Sequence, residues 1–264
     1  QSPPGGYAAT PGLHGSGSNR RESPRNRLRL LRIHEPRLVL SDDVWIVAPE
    51  TEQSGASHSL TIARPLRIRR HAERHFSVDG TPTDCVLLAI NQILKDRAPD
   101  LVLSGVNRGG NMGEDVTYSG TIAAAMEGTL LGIQSIAMSQ VASPDSRTKW
   151  STAERHAPDI IRRLAAIRLP KNVLINVNFP DRQADQIKGV AVTTQGQRKL
   201  GSVLIERHDP RGRPYYWIDS AREEDPSLKG TDLAAINAGI ISVTPLYLDL
   251  THRPTVDALE GAFA

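Results

Sequence analysis

Four nearly continuous apolar runs constrain this 264-residue chain more than anything else in it. They are VWIVAP (44–49), PDLVLSG (99–105), QSIAMSQ (134–140) and NVLINVNFP (172–180). Short runs without polar alternation predict strands buried on both faces. Helical patterns separate them. TPTDCVLLAINQIL (81–94) has Thr81 as N-cap and Pro82 at the first helical position. SGTIAAAMEGTLLG (119–132) is closed by Gly132, and STAERHAPDIIRRLAAI (151–167) is amphipathic. Strands alternating with helices predict a mostly parallel α/β sheet with helices on both faces.

The flanks read differently. HSLTIARPLRIRR (58–70) offers alternating extended pieces. After residue 180, GVAVTTQG, SVLIERHD and PYYWID are short extended pieces set apart by turn signals such as Asp209-Pro210 and Arg211-Gly212, which predict hairpins rather than crossovers. TDLAAINAG is a short helix with a glycine stop, and IISVTPLYLDL returns to strand. Residues 1–27 are rich in Gly, Pro, Ser and Arg and read as disordered. RLRLLRI (27–33) reads as a short helix or an edge strand, broken by Pro36.

Charge and cysteine content exclude several classes. The net charge is +3, but residues 1–40 carry seven arginines against Glu22 and Glu35, so residues 41–264 are mildly acidic. A nucleic-acid role would rest on that leader alone. No apolar run approaches the length of a membrane span, and no secretory signal pattern is present. The single cysteine, Cys85, lies in a helical apolar pattern, reads as a buried inert thiol and suits a reducing, cytoplasmic compartment.

Ligands of parallel α/β sheets bind beyond the carboxyl ends of the strands. Two polar loops follow such strands: APETEQSGASHSL (48–60) and SGVNRGGNMGEDVTYSGT (104–121). In the second, five glycines let backbone amides approach a ligand, and Ser119-Gly120-Thr121 opens a helix whose free N–H groups suit a phosphate. The pattern is neither a Walker A sequence nor a G-x-G-x-x-G fingerprint. Of the neighbouring polar groups, Asp84 reads as a helix cap, Asp115 as either a loop organiser or a catalytic acid, and His58 as a solvated loop residue.

SGASHSLT, GTPTDCV, DLVLSGVNRGGNMGEDVTYSGTIAAAMEG, INVNFP and ISVTPLYLDLT, in this order from about Ser41 to Ala258, closely resemble the SurE family of survival-protein nucleotidases. The resemblance implies a Rossmann-like core over residues 41–264, a β-hairpin extension at about 195–220 used in dimer formation, and a homodimer or homotetramer. It implies hydrolysis of nucleoside 5′- or 3′-monophosphates with a divalent cation, Mg²⁺ or Mn²⁺. It also implies site roles for Ser54 and Asn107 as metal-binding and catalytic residues, and for Asn111, Ser119, Gly120 and Thr121 as phosphate-binding residues.

The beginning of the chain departs from the family pattern. Members open with a short apolar strand running into Asn-Asp-Asp-Gly, whose aspartates are the charged metal ligands. No such motif occurs in this sequence. The SDD at 41–43 precedes the 44–49 strand and is expected at the opposite end of the sheet, and GGYAATPGL (5–13) echoes the motif's continuation without an acid. LRLLRI is not expected to replace the first strand, because His34 to Leu40 is too short for a crossover helix. Its loss would leave buried strand edges unpaired. The composition of 1–37 suits out-of-frame reading of GC-rich coding DNA. A degenerate, noncatalytic nucleotide-binding homologue and a targeting presequence are the alternatives, although a presequence would precede the first strand rather than replace it.

Overall fold

The structure is a computed structural model describing residues 30–32, 41, 43–143, 147–200, 204–218, 222–224 and 228–263. The readings made for residues 1–29, including GGYAATPGL, lie outside the described residues, as does the connection at 33–40.

In the first half, strands β1 (Leu30–Arg32), β2 (Val44–Pro49), β3 (Ile68–Ala72) and β4 (His75–Val78) precede helix α1 (Pro82–Leu88). Then come β5 (Leu101–Arg108), α2 (Gly120–Leu130), β6 (Gln134–Gln140), α3 (Trp150–Ala165) and β7 (Val173–Phe179). The second half holds β8 (Val190–Val192), β9 (Arg198–Leu200), β10 (Leu204–His208), β11 (Pro214–Ile218) and β12 (Arg222–Glu224). It ends with α4 (Asp232–Asn237), β13 (Ile241–Tyr247) and α5 (Arg253–Phe263). Nine strands form one sheet in the order β3-β4-β2-β1-β5-β6-β7-β13-β8, parallel except for the β3/β4 and β7/β13 pairs.

The expected α/β architecture follows from burial on alternate sides. Leu101 and Leu103 of β5 pack with Ala153, Ala157 and Ile161 of α3, whereas Val102 packs on the other face with Cys85 and Val86 of α1 and Ala124 of α2. Two helical layers thus consume both faces, which is why β5 reads as an unbroken apolar run. Each such fully buried aliphatic chain contributes about 1.5–3 kcal/mol. A Cβ at Gly128 would stand 2.9 Å from Val102 Cγ2, so that glycine sets how closely α2 lies on the sheet. Cys85 is fully buried, and burial first, then the Asp84 charge, pushes its thiol well above the ordinary range.

Three expectations change. Leu30–Arg32 does occupy the centre of the sheet, parallel to both β2 and β5, in register with Val44–Ile46 and Leu101–Leu103. A three-residue strand is only about 10 Å long, so the return through residues 33–43 needs no crossover helix. The edges of β2 and β5 are therefore paired over those residues. Secondly, β8 pairs in parallel with β13 across α4 rather than forming a hairpin, whereas β10 and β11 are antiparallel as expected. Thirdly, the helix read over 81–94 ends as α1 at Leu88 and continues as a π-helical stretch, Ala89–Ile93; α5 had no counterpart in the sequence reading. Asp43 lies just ahead of β2, away from the carboxyl ends, as expected for SDD. Among the described residues no helix is long and apolar enough to cross a membrane.

Helix α1 begins with a reciprocal cap. Thr81 Oγ1 accepts from Asp84 N at 3.1 Å, and Asp84 Oδ2 accepts from Thr81 N at 2.8 Å. Asp84 Oδ1 also accepts from Thr61 N, tying the 50–61 loop to the helix. Burial works to raise the Asp84 pKa, but these hydrogen bonds from Thr61 and Thr81 outweigh it and leave the pKa lowered. Asp84 therefore stabilises the fold above the ordinary carboxylate value of 3.8, and that contribution is lost as pH falls through the depressed value. Asp84→Asn is expected to lower stability at pH 7 by about 1–3 kcal/mol and to flatten the acid limb below about pH 4 in urea melts across pH. An unchanged acid limb would remove Asp84 from this role.

Candidate functional site

Strand β1 sends the chain to β2 on one side, while β5 stands on its other side. Their carboxyl ends thus form a topological switch point, where open α/β sheets bind ligands. A cavity of about 670 Å³ opens there. Because β1 separates β2 from β5, the two polar loops do not follow adjacent strands. They converge nonetheless: Ser54, Asn107, Asn111, Ser119, Gly120 and Thr121 all line this cavity.

Each position has a local cause. Asn107 lies near the end of β5, in register with Ser139 of β6, and its Nδ2 donates to Gly109 O at 2.9 Å, leaving Oδ1 as an acceptor. Ser54 is exposed in the β2 loop and donates to Glu52 Oε1 at 2.8 Å. Ser119 caps α2, its Oγ accepting from Ile122 N at 3.1 Å. That leaves the Ser119 hydroxyl hydrogen to donate. The helix offers the N–H groups of Gly120 and Thr121 no internal partner. With the positive end of the helix dipole, they form an anion-binding corner.

Asn111 is held from below by two residues to which the sequence analysis assigned no role. Asn178 Oδ1 accepts from Asn111 N at 2.9 Å, while Asn178 Nδ2 and Asn176 Nδ2 donate to Asn111 O at 3.1 and 2.8 Å. Asn111 Nδ2 donates to Ser139 Oγ at 2.6 Å. Asn176 and Asn178 are wholly buried on one side of β7. Two amides at i and i+2 inside INVNFP, an otherwise apolar strand, were the available signal: they share one face and need a polar partner.

The turn between Asn111 and Ser119 is a 3-10 segment, Gly113–Thr117. Asp115, left open between organiser and acid, makes a buried ion pair with Arg198. Glu114 accepts from the Arg198 backbone N–H. Asp232, fully buried, accepts from Gly113 N at 3.0 Å and Gly196 N at 2.8 Å. Burial raises the Asp232 pKa, against the pull of those amides, Leu233 N and Arg198. Gly113 has φ +54, and a Cβ there would lie 3.0 Å from Arg198 N, so the turn and residue 198 are in tight contact. His58 is exposed, as expected, but is also tied through Nε2 to Glu127 of α2 at 3.0 Å. Arg198 and Asp232 stand more than 80 residues beyond the turn and carry no motif that could have marked them.

The fold and cavity define an α/β protein with a Rossmann-like sheet and, at its switch point, a cavity lined by the N-terminus of α2. The sequence profile described as Survival protein SurE matches residues 27–202, starting upstream of Ser41 and so taking in β1. A 5′-nucleotidase SurE of Paramagnetospirillum magneticum is 61% identical over 225 residues, covering 85% of this chain and 86% of that protein. One from Rhodospirillum rubrum is 58% identical over 228 residues, covering 85% and 87%. The crystal structure of the SurE protein from Aquifex aeolicus superposes with a TM-score of 0.74 at 38% identity, covering 89% of this chain and 99% of that one. The chain belongs to the SurE family.

Among the described residues the cavity assembles no preformed Mg²⁺ or Mn²⁺ site, although Glu50 and Glu52 line it with Asp115. Ser54 and Asn107 offer neutral oxygens, and these hard cations require carboxylates to offset their dehydration. Among the described residues no three His, Cys, Asp or Glu side chains converge into a metal-binding group. Asp115, which lines the cavity, is engaged by Arg198. Asn178→Ala, which strips the partner from the buried Asn111 N–H, is expected to cost about 1–3 kcal/mol in chemical denaturation. A change within about 0.5 kcal/mol, the range of an ordinary surface substitution, would refute that dependence.

Proposed function

We propose that this chain carries a phosphomonoesterase site for nucleoside monophosphates whose phosphate-holding half is intact and whose charged metal-binding half is absent. The supporting observation is the convergence of Ser54, Asn107, Asn111, Ser119, Gly120 and Thr121 on one cavity at the switch point. The naming of close relatives as 5′-nucleotidases gives the substrate class.

In this reading, Gly120 N–H, Thr121 N–H and the Ser119 hydroxyl donate to phosphoryl oxygens, and the Asn111 and Asn107 amides complete the ring of neutral partners. Such donors bind a phosphate dianion and favour the charge that builds on its oxygens during transfer. Ser54 and Asn107 are the remnant of the cation side. With the family's Asp-Asp pair missing and Glu52, which accepts from Ser54, as the carboxylate left beside them, metal-assisted activation of water is weakened, and this chain turns over little substrate. The globular unit takes in β1 as well as residues 41–264, and the β9–β12 extension joins copies into a homodimer or homotetramer; the exposed Tyr216, Trp217 and Ile218 of β11 support that use. The lone buried thiol suits a cytoplasmic setting.

The neutral donor set also favours a second reading, a noncatalytic nucleotide-binding homologue. Assay of the chain with nucleoside 5′- and 3′-monophosphates and Mg²⁺ or Mn²⁺ is expected to show binding with turnover at least about a hundredfold below that of a curated relative, since removal of an essential charged group commonly costs that much or more. Placing Asn-Asp-Asp-Gly after β1 (Ile33→Asn, His34→Asp, Glu35→Asp, Pro36→Gly) is expected to raise metal-dependent turnover at least about tenfold. Turnover by the unaltered chain at the relatives' rate would refute the impairment. A graft that binds metal but gains no turnover would favour the noncatalytic reading.

A further inference from the structure

We infer that Arg198 is a positioning residue that couples the root of the extension to both halves of the cavity. It is the first residue of β9, in register with Glu224, the last residue of the returning strand β12. Its backbone therefore belongs to the extension. Its guanidinium reaches instead into the site loop, pairing Nη2 with Asp115 Oδ2, while its N–H is accepted by Glu114. Both carboxylates belong to the Gly113–Thr117 turn.

That turn is the junction of the site. Tyr118 N donates to Asp115 O at 3.1 Å, so the turn sets the approach to Ser119 and the start of α2. Tyr118 O accepts from Ser57 N at 3.1 Å, and Thr117 O accepts from Ser57 Oγ at 2.7 Å, so the same turn carries the loop bearing Ser54. Asp232 fastens the turn a second time, through Gly113 N, and also takes Gly196 N, two residues before Arg198. The chain is thus tied to one turn both where it enters the extension and just after it returns. Arg198 and Asp115 are both nearly buried, 8% and 5% exposed. A guanidinium in such a setting holds its carboxylate in one geometry, and a displaced extension would carry the turn with it.

The inference rests on the reading of the α2 N-terminus as a phosphate site, and its test separates the two. The full chain and three variants, Arg198→Met, Arg198→Lys and Arg198→Met with Asp115→Leu, are titrated with inorganic phosphate by ³¹P NMR. Unfolding midpoints and amide exchange at residues 57 and 113–122 are followed alongside. Arg198→Met strips the buried Asp115 carboxylate of the Arg198 guanidinium and lowers stability, whereas the double variant removes both charges and recovers it. The expected result is a phosphate affinity about tenfold weaker, with faster exchange at Ser57 and Tyr118, in both Met variants, the scale of one misaligned charge-assisted hydrogen bond. Arg198→Lys is expected to restore most of the affinity. If affinity recovers with stability in the double variant, or never falls in Arg198→Met, Arg198 is merely structural and the inference is overturned. If the unaltered chain does not bind phosphate, the phosphate reading fails and the inference falls with it.

Discussion

Much of the path from the end of β5 to the start of α2 is buried, at residues 111–113, 115–116 and 119–120, and backbone groups there must find partners without water. That requirement shapes the cavity. Asn176 and Asn178 supply the partners for the Asn111 peptide, Asp232 for Gly113 N, and Glu114 and Asp115 hold Arg198. Buried polar networks are costly when half satisfied and rigid when complete. Here a nearly complete network holds a glycine-rich segment in one course and so places Ser119 and Asn111 at fixed points of the cavity.

The network is lopsided in charge. Asp115 pairs with one buried guanidinium, Arg198, while at the mouth Ser54 and Asn107 offer neutral oxygens beside the carboxylates of Glu50 and Glu52. Backbone dipoles and amides bind anions well and divalent cations poorly. The β1 strand is short. Among the described residues it pairs with Val44–Ile46 and Leu101–Leu103, enough to keep the sheet continuous.

Much of the fold was legible because it is written in short-range patterns. Unbroken apolar runs marked β2, β5, β6 and β7, since helices on both faces leave no polar side. Thr81, Ser119 and Gly132 marked helix ends through local capping chemistry, and the structure places Ser119 as the α2 cap and Gly132 at φ +82. The six cavity residues were named from motif resemblance, and the structure brings them together. The role of Leu30–Arg32 was misjudged because a rule about full-length crossovers was applied to a three-residue strand. The parallel pairing of β8 with β13 was missed because three extended residues look alike in a hairpin and at a sheet edge.

What the sequence determined by itself was the alternation of buried strands with helices, the capped starts of α1 and α2, and the glycines and small polar groups of the site. These depend on neighbours within a few residues or on residue type alone. What only the tertiary structure decided was which distant groups complete the site: that Arg198 and Asp232 close on the 113–117 turn, and that His58 is braced by Glu127. Such pairings join positions from 69 to 119 residues apart. They exist because chain folding brings together buried charges and amides that cannot be left unpaired, a condition that no local pattern records.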